Sequence, residues 1–133
     1  MNSGDELFRR DFEITRADLV AYAGASGDQN PIHQDDDAAR AAGLPGVIAH
    51  GMYTMGLAAR AVTEWAGGPE RITELTARFA KPVVVPADAP ATVTVVGTVR
   101  RLHDDGAVEI AMTATSGADK VLAPARATVA AAS

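Results

Sequence analysis

No cysteine occurs in the chain. That absence excludes disulfide bridges, a thiolate nucleophile and Cys-based metal sites together. Aromatic side chains make up only 5% of the 133 residues, so a core must be assembled from Ala, Val, Leu, Ile and Met. Basic charge is also short: 12 Lys and Arg stand against 17 Asp and Glu, a formal net charge of −5. Neutralising a nucleic-acid backbone needs a basic surface, so nucleic acid is not the expected partner. A small anionic ligand needs only a local patch and stays open. No apolar run approaches the ~20 residues of a bilayer span, and the polar opening Met-Asn-Ser-Gly-Asp-Glu leads into no signal-peptide core. One cytoplasmic domain over residues 1–133 is the expectation, with no membrane contact.

What is present centres on the stretch from Val47 to Gly68. Between about Gly51 and Trp65 only Gly56 interrupts a helical run, and its first three turns are almost free of charge. Met52, Tyr53, Met55, Leu57, Ala58, Ala59, Ala61 and Val62 point in every direction round a 3.6-residue period, the pattern of a helix buried on all sides. At roughly 15 residues such a helix is ~22 Å long, so something must wrap around it. The residues after Gly68 supply the wrapper. Arg71 to Ala80 alternates in hydrophobicity, and Ala91–Leu102 and Ala107–Ser116 flank the hairpin signal Asp104-Asp105-Gly106. Val121–Val129 makes a last strand, broken early by Pro124. The three prolines between Pro82 and Pro90 around a Val-Val-Val run suggest a bent edge connection.

Before the central helix, Met1–Arg10 reads as a loose lead-in and Asp11–Ile14 as a short strand. Thr15-Arg-Ala-Asp18 has the form of a capping box for a helix through Leu19, Tyr22 and Ala23 that fails at Gly24–Gly27. Asp35 to Asp37 can cap a short helix over Ala38–Ala42, closed by Gly43. The closing Ala-Ala-Ala-Ser is expected to fray. The sum is an α+β domain, an antiparallel sheet of about five strands curled round one helix. Such a sheet exposes an edge, which predicts pairing with a second copy or a relative.

Two short motifs carry chemistry. Asp28-Gln-Asn-Pro-Ile-His33 holds a carboxylate and an imidazole in a loop stiffened by Pro31. Imidazole exchanges its proton nearest neutral pH, and a carboxylate can orient it or hold a water beside it. Asn30 can brace that loop with both a donor and an acceptor. His50-Gly51 opens the central helix, where the first amides lack partners and the dipole is positive. Glycine there admits a substrate carbonyl close to the backbone, in the manner of an oxyanion hole. Each motif also has a plain structural reading, as a turn or as a relief of crowding, with His50 packed in the core. A metal held by Asp28, His33 and His50, with Asp35 to Asp37 nearby, is disfavoured because no His-x-x-x-His spacing is present. His103, beside the hairpin turn, is expected to be exposed.

Taken together, Tyr22-Ala-Gly-Ala-Ser-Gly-Asp-Gln-Asn-Pro-Ile-His-Gln-Asp35 and Ala49-His-Gly-Met52 resemble the signature of the MaoC-like, (R)-specific enoyl-CoA hydratase family. Gly27, Asp28, Asn30, Pro31, His33, Asp35 and Ala49–Met52 all fall in register, and Arg78-Phe79 with the Pro82–Pro86 run looks similar too. The resemblance is strongest to the catalytic subunit of actinobacterial (3R)-hydroxyacyl-ACP dehydratases, which pairs with a catalytically silent relative. It implies a hot-dog fold and a hydro-lyase acting on trans-2-enoyl or (3R)-hydroxyacyl thioesters of CoA or acyl-carrier protein. It also implies Asp28 and His33 as the catalytic pair and the Gly51 amide as the carbonyl-polarising group. Asn30, Ser26 and His50 would support them, and Tyr53, Met55 and Leu57 would line the acyl pocket. No bound cofactor is required, since the pantetheine thioester arrives with the substrate. Partners would be acyl-carrier protein and a second hot-dog chain, identical or related. Some relatives carry a serine two turns into the central helix; Ala58 and Ala59 stand there, a departure that speaks against a serine-assisted role and leaves the Asp28–His33 pair untouched. Two other readings compete. A hot-dog thioesterase would want a carboxylate on the central helix, where only Glu64 is available. A non-catalytic binding subunit would be marked by loss of the Asp or the His, and both are present.

Overall fold

A computed structural model describes residues 1–132. Five strands form one antiparallel sheet in the order β1-β3-β4-β5-β2. They are β1 (Glu6–Ile14), β2 (Ile72–Phe79), β3 (Ala91–Leu102), β4 (Val108–Ser116) and β5 (Asp119–Val129). Three helices precede β2: α1 (Arg16–Ser26), α2 (Asp36–Ala41) and α3 (Gly51–Ala66). Along β3, Ala91, Val93, Val95, Gly97 and Val99 alternate inward. They meet Ile110, Met112 and Ala114 of β4 and Ala125, Ala127 and Val129 of β5, all buried. Small residues let α3 lie close against this face. Its Thr54, Ala58, Ala61, Val62 and Ala66 are buried, at the 3–4 spacing of a single stripe. Among the described residues no helix is long and apolar enough to cross a membrane.

The expectation that α3 is enclosed all round does not hold. Met52 is 61% exposed, and Tyr53, Met55 and Leu57 are only half-buried. Five strands curl round one side of the helix, and Tyr53, Leu57 and Trp65 pack against that core only in part. β1 is also longer than its charged residues suggest: Arg9, Arg10 and Asp11 pair with Val96, Val95 and Thr94. Phe8 sits across from Gly97, whose missing side chain leaves room for the ring. β5 is not broken at Pro124. Ala123 and Pro124 have no ladder partner on either side, because the registers of both neighbouring strands shift there, so a bulge absorbs the missing donor. Ala130, expected to fray, exchanges bonds of 2.7 and 2.9 Å with Arg71; Ser133 lies outside the described residues. His103 is half-buried and bonds Glu109 at 2.8 Å across the hairpin.

The first half of the chain positions the helix tip. The capping box forms as expected: Thr15 Oγ1 accepts from the Asp18 amide at 3.2 Å and Asp18 Oδ2 from the Thr15 amide at 2.9 Å. α1 ends at Gly27 in the left-handed region, φ 78°, a conformation glycine adopts freely. α2 starts earlier than its alanines, because Asp35 is the cap and Asp36 and Asp37 are its first turn. Asp36 turns inward, taking the Val47 amide at 3.0 Å and Arg16 at 2.9 Å on one oxygen. Arg16 also donates to the Val85 carbonyl at 2.6 Å. The Val-Val-Val run then pairs back on the segment before α3, through Ala49 N to Val83 O and Val85 N to Val47 O, both 2.9 Å. Residues 47–50 are thereby clamped from two sides.

Candidate active site

The loop from Ser26 to His33 is built from its own side chains. Ser26 Oγ accepts the Asp28 amide at 3.2 Å, Asp28 Oδ1 accepts the Asn30 amide at 3.2 Å, and Asn30 Oδ1 accepts the Ile32 amide at 3.2 Å. These are the Asx-type turns that Asp and Asn favour. Asn30 caps the one-turn 3-10 helix Pro31–His33, which swings His33 inward until its side chain is 8% exposed while that of Asp28 remains 53% exposed.

Hydrogen bonding fixes the imidazole. His33 Nδ1 lies 2.8 Å from the Ile48 carbonyl, which can only accept, so Nδ1 carries the proton and neutral His33 presents a bare Nε2. That Nε2 faces Asp28 Oδ2 at 3.9 Å. Two acceptors at this distance cannot bond each other, but an oxygen about 2.8 Å from both fits between them. A water there gives one hydrogen to each and keeps its lone pairs free.

Gly51 begins α3 and borders two cavities. One, of about 260 Å³, includes His33, Ile48, Thr54, Phe79 and Lys81 in its wall. The other, of about 330 Å³, is formed by Tyr22, Ser26, Asp28, His50, Met52 and Phe79 with Gly51. Asp28 thus reaches the helix tip from one side and His33 from the other. His50 makes no side-chain cap and the first turn holds no acidic residue. The Gly51 and Met52 amides have no hydrogen-bond acceptor among the described residues. A 16-residue helix with uncapped amides presents positive charge to whatever enters.

His50 is 2% exposed. Its ring stacks on His33 at 3.9 Å with a 23° tilt, and its Nε2 lies 3.1 Å from the Asp28 carbonyl. Asp28, His33 and His50 bring possible ligand atoms within 4.8 Å of one another, a grouping their sequence spacing does not suggest. The donor set still fits a metal poorly. Two rings stacked this nearly parallel aim their in-plane lone pairs side by side, not at one ion.

Tyr53, Met55 and Leu57 line neither cavity. Thr54 does, one helical turn on from Gly51, with its hydroxyl 3.4 Å from the His50 carbonyl. Tyr53 packs edge-on against Tyr22 at 5.2 Å, and burial followed by the Asp18 charge pushes its phenol up. Glu64 pairs with Arg60 at 3.1 Å and Arg10 at 3.3 Å, away from both cavities. Ile48 and Thr54 were not singled out by the motifs, and Phe79 entered only as a flanking piece of the family resemblance. The helical spacing 51, 54, 58 could have found Thr54; nothing local marks the Ile48 carbonyl.

An antiparallel sheet seated on one long helix, with a carboxylate and an imidazole gathered at that helix's N-terminus, defines a hot-dog domain. The chain belongs to the family described as MaoC like domain, which matches residues 4–118. It is 46% identical over 76 residues to 3-hydroxyacyl-thioester dehydratase X of Mycobacterium tuberculosis, 57% of this chain and 26% of that one. To the (R)-specific enoyl-CoA hydratase of Rhodospirillum rubrum it is 34% identical over 87 residues, 65% of this chain and 60% of that one. A solved MaoC-like dehydratase superposes with a TM-score of 0.95 at 38% identity, over 99% of this chain and 41% of that one. The aligned stretch is about a quarter of the length of the mycobacterial dehydratases X and Y.

Proposed function

We propose that the chain, as one MaoC-like domain, is a hydro-lyase that hydrates trans-2-enoyl thioesters and runs the same steps in reverse on (3R)-hydroxyacyl thioesters. The observation that carries this reading is the acceptor pair, Asp28 Oδ2 and His33 Nε2 at 3.9 Å, beside the free amides of α3. In hydration, a water held by the pair loses a proton to it, and the oxygen bonds to C3. The C2=C3 electrons move toward the thioester carbonyl, whose oxygen sits at the Gly51 amide. The pair then returns a proton to C2, so H and OH add across the double bond and nothing else is consumed. Cavities of about 260 and 330 Å³ lie at or below the small end of the ~300–1,000 Å³ range of ligand pockets. One copy therefore holds the reacting end of an acyl thioester, whether the carrier is CoA or acyl-carrier protein.

The domain works in the cytoplasm as a dimer, with itself or a related hot-dog chain. The half-covered α3 and the unpaired edge of β2 support this. On β2, Glu74, Thr76 and Arg78 are all exposed, and antiparallel pairing of two copies about Thr76 sets each Glu74 opposite the partner's Arg78.

The test follows the ultraviolet absorbance of a short trans-2-enoyl-CoA and free thiol in parallel. Loss of the conjugated absorbance without thiol is expected. Thiol release in step with the loss of absorbance would establish a thioesterase, and neither change on any enoyl thioester would leave a binding subunit.

A further inference from the structure

We propose that His50 is a positioning residue for this reaction, holding Asp28 in reach of His33 through the Asp28 backbone carbonyl. The assignment rests on the reading above, but its geometry stands apart from turnover. The Asp28 carbonyl only accepts, so the His50 nitrogen 3.1 Å away, Nε2, carries a proton. Asp28's other hydrogen bonds are local, to Ser26 at the end of α1 and to Asn30, each two residues away. Among the described residues, the bond from His50 is the one hydrogen bond that ties Asp28 to a residue more than two positions away in the chain. His50 is also the residue that leads into Gly51, and its ring lies on His33 at 3.9 Å. One side chain therefore registers carboxylate, imidazole and helix tip against one another.

The remaining nitrogen argues that packing alone does not explain the ring. With Nε2 protonated, neutral His50 has a bare Nδ1, which is buried and without a partner. A phenylalanine would fill the space between Tyr22, whose ring is 4.7 Å away, and His33 without burying an unpaired acceptor. What phenylalanine lacks is the donor to Asp28. Reacting groups displaced by an ångström lose on the order of 10²-fold in rate, and while Ile48 holds the Ile32–His33 end of the loop, the bond from His50 holds its Asp28 end. Substrate contacts at Gly51 do not depend on the tie, so the loss falls on kcat and not on KM.

Three variants separate donor from ring. His50→Gln places an amide nitrogen where Nε2 was, His50→Phe keeps the ring without a donor, and His50→Asn keeps a donor too short to reach. Against trans-2-enoyl-CoA, kcat of the Gln variant is expected to exceed those of the Phe and Asn variants by on the order of tenfold or more, with KM similar in all three. Equal losses in Gln and Phe, or losses confined to KM, would overturn the assignment. If Phe does not fold, as a melting curve shows, the Gln and Asn pair decides alone. Imidazole nitrogen NMR of the wild type gives a readout without turnover. His50 is expected to be protonated on Nε2 and His33 on Nδ1. A proton on His50 Nδ1 overturns the proposal whatever the activity, whereas the expected tautomers in a protein that hydrates no enoyl thioester would sink the lyase reading instead.

Discussion

Replacing Gly51 with alanine should separate catalysis from folding. A Cβ at this position meets the Phe79 ring at 3.2, 3.3 and 3.5 Å, close enough that the ring must give by a few tenths of an ångström. Phe79 is 53% exposed and free to do so. Alanine also favours the helix over glycine by up to ~1 kcal/mol, and less at the first position. The melting temperature should therefore stay level or rise slightly. The new methyl, however, occupies the wall shared by both cavities, where the proposed reaction brings the substrate carbonyl to the backbone. Denying one oxyanion donor costs about 10²–10³ in kcat, roughly 2.7–4 kcal/mol of barrier. The assay pairs a thermal melt with enoyl-thioester hydration, and adds Phe79→Ala in the Gly51→Ala background. Turnover within about twofold of wild type with an unaltered melt would refute the role given to the Gly51 amide. Recovery in the double variant would shift the fault to the displaced ring.

Two further outcomes concern stability and assembly. The Val47 amide, opposed by desolvation and aided by Arg16, holds the Asp36 carboxyl below its usual range. A depressed carboxylate stabilises the fold above its unfolded pKa, about 3.9 for Asp, and that contribution disappears as pH falls through the folded value. The melting-temperature gap between wild type and Asp36→Asn should thus be full near neutrality and close in acid; a gap unchanged into acid would contradict the bonding described. At the β2 edge, Arg78→Glu places like charges opposite each other twice per dimer. At about 0.2–1 kcal/mol per exposed pair, the dimer Kd should weaken by roughly 2- to 30-fold. Adding Glu74→Arg should restore it, and light scattering that shows no change in either variant would remove β2 from the interface.

Where local chemistry dictates structure, the sequence was readable. The Thr15–Asp18 box, the Asp104-Asp105-Gly106 turn and the limits of β3 depend on neighbours in the chain. The first five residues of β1 became strand only by pairing with β3, and Phe8 needed Gly97, some ninety residues away. The α3 error has the same origin, since an apolar helix in sequence does not say how far a five-stranded sheet can curl. At the site, residue type made Asp28, His33 and Gly51 candidates and the family resemblance gave them roles, and the structure gathers them round adjoining cavities. What fixes the His33 tautomer is the Ile48 carbonyl, a backbone group with no residue preference. Phe79 closes the wall from the end of an edge strand, where its exposure depends on a neighbour the sequence does not supply.

The pairing of Asp28 with His33 on one water is tested most directly by a double-mutant cycle on hydration rate, using Asp28→Asn, His33→Gln and both together. Each single substitution should lower kcat by on the order of 10²–10⁴-fold. Because the two groups act on the same water, the double variant should be no slower than the worse single. Losses that multiply, or a single variant that keeps its rate, would mean the carboxylate and the imidazole do not work as a unit.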